Sequence, residues 1–231
     1  IHPIDSREEK LPQSEKHHAL QFCWMIDMGA VRVEVEAARG ELVDAGNVKG
    51  ILSLPARTRI WRAMLDPQDA ERSYRCRTEL KMACLRRVLP LWERTFPGDD
   101  RVQEMLNLTQ GLIDASQDPD DAEMTSDEFL ADVYDEIEDF DAVTQPAAFV
   151  ANGAVSLVGS ALDRSLDFDV VGDIEDDDEL LPDSLETSYC CASAAAGALN
   201  WQPLEDTNVD ARRAFWLWYL DEAIPAVLEA Q

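Results

Sequence analysis

RRAFWLWYLDEAIP, residues 212–225, sets four aromatic side chains within the five positions from Phe215 to Tyr219, in a chain that is only 7% aromatic. Residues three and four apart share a helix face. Phe215, Trp218 and Tyr219 therefore line one side, while Trp216 and Leu220 line another. A helix with apolar groups on most sides needs cover on most sides. The stretch predicts a central core helix against which other helices dock. A ligand-stacking platform is the minor alternative, because crowded aromatics at this spacing are ordinary core material.

The rest of the chain supplies those partners. The run from Ser14 to Leu42 reads as a helix capped by Ser14, with Leu20, Trp24, Met28 and Val31 at helical spacing, although VRVEVEA within it also alternates as a strand would. Residues 54–65 form a short helix opened by Pro55. A long helix follows, capped by Asp66 with Pro67 in its first turn, kinked at Pro90 and stopped by Pro97 and Gly98. The next runs from Asp100 to about Ser116. Residues 117–145 read as an acidic amphipathic helix with Phe129, Val133, Ile137 and Phe140 on its apolar side. Pro146 opens a helix of small residues through Ala161, residues 163–188 read as loop, and 187–198 is again a helix of small side chains. The last helix is capped by Asp206 or Asn208. The expected fold class is mainly α: a single helical domain over 14–231 with an aromatic C-terminal core helix, a flexible lead-in over 1–13, and an acidic helix-loop segment over 117–186.

Charge is distributed unevenly. The formal net charge is −27, yet residues 1–101 hold 17 Lys/Arg and 16 Asp/Glu, so residues 102–231 hold 3 and 31. Binding to nucleic acid needs a basic footprint, and an anionic bilayer repels such a surface, so neither is expected as a partner. A basic protein would be attracted and steered to it.

The longest apolar run, Ala147–Leu162, is interrupted by Asn152, Gly153, Ser156, Gly159 and Ser160, so no membrane span is expected; no signal peptide is evident either. Cys23, Cys76, Cys84, Cys190 and Cys191 are odd in number and include a vicinal pair, which fits reduced thiols and a cytoplasmic location. The three histidines, His2, His17 and His18, all lie near the start and leave later positions without an imidazole.

Enzyme signatures are missing from the sequence: no GxSxG, no Walker loop, no GxGxxG. Carboxylate pairs such as Asp135 and Asp139 stand in a crowd rather than isolated in a cleft, and the adjacent His17 and His18 point to different faces relative to Cys23. No catalysis and no cofactor are expected. Residues 167–178 partly match a calcium loop, with Asp167, Asp169, Gly172, Ile174 and Asp178 at ligand or turn positions. Val171 replaces a ligand there, and Asp178 is a methylene shorter than the usual glutamate. A calcium-responsive helical binding module is thus an alternative, and an accidental match within an acidic run is the simpler account.

Two stretches carry a resemblance. Arg212, Phe215, Trp216, Trp218, Tyr219, Leu220, Ala223, Ile224 and Pro225 resemble the closing motif of an all-α family of bacterial immunity proteins from polymorphic toxin systems, the family numbered five. CLRRVLPLWERTFPGDDRVQEMLNLTQ, residues 84–110, is similar to that family's middle motif. Together they cover somewhat less than a fifth of the chain. The family has alanine-rich helices between the motifs, whereas this chain has its acidic block. The resemblance implies cytosolic inhibition of a cognate toxin without catalysis, and its motif residues read as scaffold.

The acidic block then becomes the natural contact surface. From Asp114 to Glu186 there are 24 Asp/Glu and one base, Arg164. A toxin acting on nucleic acid or nucleotides would present a basic cleft that such a surface could cover. The expected partner-binding residues are Asp132, Asp135, Glu136 and Asp139 on the helix, and Asp173, Glu175, Asp176, Asp177, Asp178 and Glu179 in the loop. The runner-up from another class is an acidic regulator, or DNA mimic, that captures a nucleic-acid-binding protein.

Overall fold

A computed structural model describes residues 26–166, 176–180 and 185–230. The helices are α1 (Met28–Val43), α2 (Leu54–Ala63), α3 (Ala70–Thr95), α4 (Arg101–Ile113), α5 (Pro119–Glu136), α6 (Thr144–Leu162), α7 (Thr187–Ala196), α8 (Val209–Trp218) and α9 (Ile224–Ala230). No strand occurs among the described residues, and the VRVEVEA stretch is helical within α1.

Capping side chains fix most of the starts. Asp27, Ser53, Asp69, Asp118, Glu186 and Asn208 each accept hydrogen bonds from backbone N–H groups of the first turn that follows. The Ser14 cap and the lead-in lie outside the described residues. Asp66 does not open α3. It is buried in a turn, where its carboxylate accepts from Gln68 N and its own N–H donates to Ser73 Oγ, so the helix starts three residues later behind Asp69. Pro90 lies inside α3 with an exposed ring, and the helix continues past it to Thr95.

The small-residue helix α6 occupies the middle of the fold, packed against α3, α4, α5 and α7. Its approach to α7 is close because Gly153 has no side chain. A Cβ there would sit 3.2 Å from Cys190 Cβ and 3.6 Å from Cys191 Sγ. Cys76, Cys84, Cys190 and Cys191 are all buried free thiols, and burial raises the pKa of each, that of Cys76 to about 11. They are held as neutral packing groups rather than thiolates.

The aromatic stretch docks on α7, α3 and α1. Phe215, Trp216, Tyr219 and Leu220 are buried, while Trp218 is half-buried beneath the guanidinium of Arg87. Trp216 meets Phe215 and Tyr219 edge to face. Between α8 and α9 the helix widens into a π turn, Tyr219–Ala223, closed by Ile224 N–H reaching Tyr219 O. Pro225 follows directly. It has no N–H to give, and in a regular helix its ring would press on the carbonyl four residues back. The wider turn relieves that contact, which explains why a proline can follow the aromatic cluster without ending the helix.

Arg212 is fully buried and binds the carbonyls of Ala198 and Leu199, just beyond the α7 C-cap Gly197, at 2.6 and 3.2 Å. The closing motif thus ties α8 to the end of α7. The middle motif is likewise self-locking: Trp92 Nε1 donates to Asp99 O at 3.1 Å, and the Arg101 guanidinium lies over the rings of Trp92 and Phe96.

Candidate partner-binding surface

The acidic helix α5 is set by local chemistry at both ends. Asp118 accepts from Asp120 N and Asp121 N at 3.0 and 3.2 Å, Pro119 takes the first helical position, and Asp120 and Asp121 sit where the helix dipole favours negative charge. Ala122, Ser126, Phe129 and Val133 form the inward stripe, facing α6 and α4. The outward face carries Asp127, Glu128, Asp132, Asp135 and Glu136, all exposed. Of these, Glu136 is engaged: Arg101 donates to both its oxygens, at 2.9 and 2.7 Å. That pair fastens the end of α5 to the middle-motif loop. The helix stops at Glu136 rather than running to residue 145. Ile137 is buried, and Asp139 and Phe140 lie in an exposed turn. There Asp141 accepts from the N–H groups of Val143 and Thr144 at the entrance to α6, and those hydrogen bonds lower its pKa.

The loop residues divide. Asp173 and Glu175 lie outside the described residues. Asp176 and Glu179 are exposed at the ends of a short 3-10 turn, Asp177–Leu180. Asp178 is half-buried. Its carboxylate accepts from the Tyr189 hydroxyl at 2.6 Å, and burial raises its pKa against that hydrogen bond. Asp177 departs from the expectation of display. It is 2% exposed and paired with the fully buried guanidinium of Arg57, sharing it with Glu186. Nine of the twelve positions of the calcium-loop match, 167–175, lie outside the described residues; its last position, Asp178, is the one bound by Tyr189.

The Arg57 environment is a buried charge cluster. Nη1 also donates to Glu186 at 2.9 Å, Lys81 Nζ lies 3.9 Å from the other Glu186 oxygen, and the Trp61 and Trp216 rings flank the guanidinium at 5.5 and 5.2 Å. Burial opposes the Arg57 charge, but Asp177 and Glu186 outweigh it and raise its pKa. Burial likewise opposes ionisation of Glu186, and Lys81 and Arg57 outweigh it, holding that carboxyl below its ordinary range. Two cations and two anions balance there, so the cluster is closed chemistry and not an open site. The adjoining cavity, lined by Trp61, Lys81, Cys84, Glu186 and Tyr219 among others, has a volume of about 30 Å³, the scale of a water molecule.

Among the described residues no helix is long and apolar enough to cross a membrane, and no group of His, Cys, Asp and Glu is placed to hold a metal ion. No curated protein matches the sequence. Residues 36–226 match the family model described as Immunity protein Imm5, a span that starts inside α1, includes both the middle and closing motifs and the whole acidic segment, and ends inside α9. The chain therefore belongs to the Imm5 family of immunity proteins.

Proposed function

We propose that this chain neutralises a cognate toxin domain by laying the outward face of α5, with the exposed carboxylates of the neighbouring loop, over a basic cleft of that domain. The observation that carries the reading is the arrangement of Asp127, Glu128, Asp132 and Asp135 on one exposed helix in a family of immunity proteins. Such a surface attracts a basic partner over distance and competes with anionic substrate for the same cleft. Asp139, Asp176 and Glu179 extend it, with Asp173 and Glu175 as further contributors; Glu136 and Asp178 position the segment through Arg101 and Tyr189. The inhibitor acts by occlusion in the cytoplasm, with no catalysis and no cofactor, and takes neither nucleic acid nor membrane as its partner.

Co-expression with a cognate toxin domain tests this. The wild-type chain should restore growth, and Asp132→Lys with Asp135→Lys should abolish protection while leaving the melting temperature no lower. Protection by the doubly reversed variant would remove the electrostatic contact. Failure of the wild-type chain to protect, with capture of a nucleic-acid-binding protein instead, would favour the DNA-mimic reading.

A further inference from the structure

The acidic surface contains a half-exposed aromatic pair. Tyr134 on α5 is 44% exposed and Phe140 in the following turn is 53% exposed, with ring centroids 5.8 Å apart and planes at 54°. Phe140 falls on the spacing of the buried stripe Phe129, Val133 and Ile137, yet α5 ends before it and the ring stays outside. A Phe left about half in water forgoes part of the gain that burying its ring would bring. Val143, 43% exposed, follows in the same turn. The Tyr134 hydroxyl accepts from Asn152 Nδ2 at 2.8 Å, which holds the ring in place and leaves its own proton available to a partner.

Aromatic side chains amid a polar surround are the usual anchors of protein interfaces. The surroundings decide the occupant. Asp135 and Asp139 are exposed neighbours in sequence of the two rings, within a segment holding 24 acidic residues and one base. An arginine side chain fits both requirements, since its flat guanidinium stacks on an aromatic face while its edge pairs with a carboxylate. We infer that Tyr134 and Phe140 anchor the interface by receiving an arginine side chain of the basic partner, with Asp135 or Asp139 completing the ion pair. This rests on the reading of the acidic face as the partner-binding surface, and adds to it a defined central contact and a preference for arginine over lysine.

Fluorescein-labelled octa-arginine and octa-lysine peptides, equal in charge, serve as probes in an anisotropy titration of the whole chain. The wild type should bind the arginine peptide about 2- to 5-fold more tightly, the scale of one exposed cation–π contact. Phe140→Ala and Tyr134→Ala should each reduce that difference and their combination should remove it, with lysine-peptide binding unchanged and the folded circular dichroism spectrum retained at the assay temperature. Equal binding of the two peptides by the wild type, or an arginine preference that survives the double variant, overturns the anchor. The co-expression assay separates the two levels: a wild-type chain that protects but shows no arginine preference loses only this inference, whereas one that fails to protect loses the functional reading beneath it.

Discussion

Arg57 on α2 and Asp177 in the acidic segment form an ion pair in which both side chains are withdrawn from solvent, at 0% and 2% exposure. Glu186 shares the same guanidinium from the start of α7. One arginine thereby joins α2, the acidic segment and α7. Replacing it leaves two carboxylates inside with Lys81 as the remaining cation, so Arg57→Ala is expected to cost about 3–5 kcal/mol in urea denaturation. Asp177→Asn should cost distinctly less, because burial already disfavours the Asp177 charge and raises its pKa. Equal losses in the two variants would show that the pair acts as a unit.

The same groups set an acid profile. Asp177 and Asp178 have folded pKa values raised by burial above their ordinary 3.8, so each makes the folded state bind protons more readily than the unfolded one. Their contribution increases as pH falls through the folded values, and relief of the −27 net charge adds to it. Glu186 has the opposite sign. Its folded pKa is lowered from 4.5, so its stabilisation is present above that value and is lost as pH falls through the folded one. The melting temperature should rise on mild acidification from neutral pH and then fall below about pH 4. Glu186→Gln should flatten the falling limb, and Asp178→Asn the rising one.

Helix α5 carries charge that works against its own stability. Glu128 and Asp132 are like charges one turn apart, and Asp135 sits in a last turn that contains no basic residue, at the negative end of the dipole. Asp132→Lys and Asp135→Lys are each expected to stabilise the chain by about 0.3–1 kcal/mol at low salt. The gain should shrink in high salt. Thermal melts that moved downward instead would show these carboxylates to be structural.

Gly50 tests the closing motif from the other side. It has φ +63°, and a Cβ there would lie 3.1 Å from Val209 O and 3.2 Å from Arg213 Cβ at the start of α8. Gly50→Ala combines a strained backbone with contact against α8, and about 1–3 kcal/mol of destabilisation is expected in denaturant titration. Gly40→Ala, in α1 with open space around the glycine, should be neutral or stabilising under the same conditions.

Much of this architecture was legible in the sequence because its signals are local. The Pro55 opening of α2, the Asp206-or-Asn208 start of the last helix, the small-residue pattern of α6 and the aromatic run each specify a helix without reference to distant residues. Where the reading failed, the deciding partner lay elsewhere. Asp66 resembles an N-cap until Ser73 claims its backbone. Phe140 continues a helical stripe on paper, but α5 ends at Glu136 and the chain has already turned toward α6, where Asp141 binds the N–H groups of Val143 and Thr144. Asp177 is one acid among several in a row, and nothing local marks it as the one that meets Arg57, 120 residues earlier. Burial of the aromatic run was expected, yet α6 occupies the middle, because small side chains let neighbours close in from several sides.

The buried thiols bear on how the molecule opens. Cys84, Cys190 and Cys191 are completely enclosed, two of them at the seam where Gly153 lets α6 and α7 meet. An alkylating reagent can reach Cys190 and Cys191 only when that seam parts, so their labelling rate serves as a clock for the rarest excursions of the fold, while oxidants that strike surface sulfur find none at these positions.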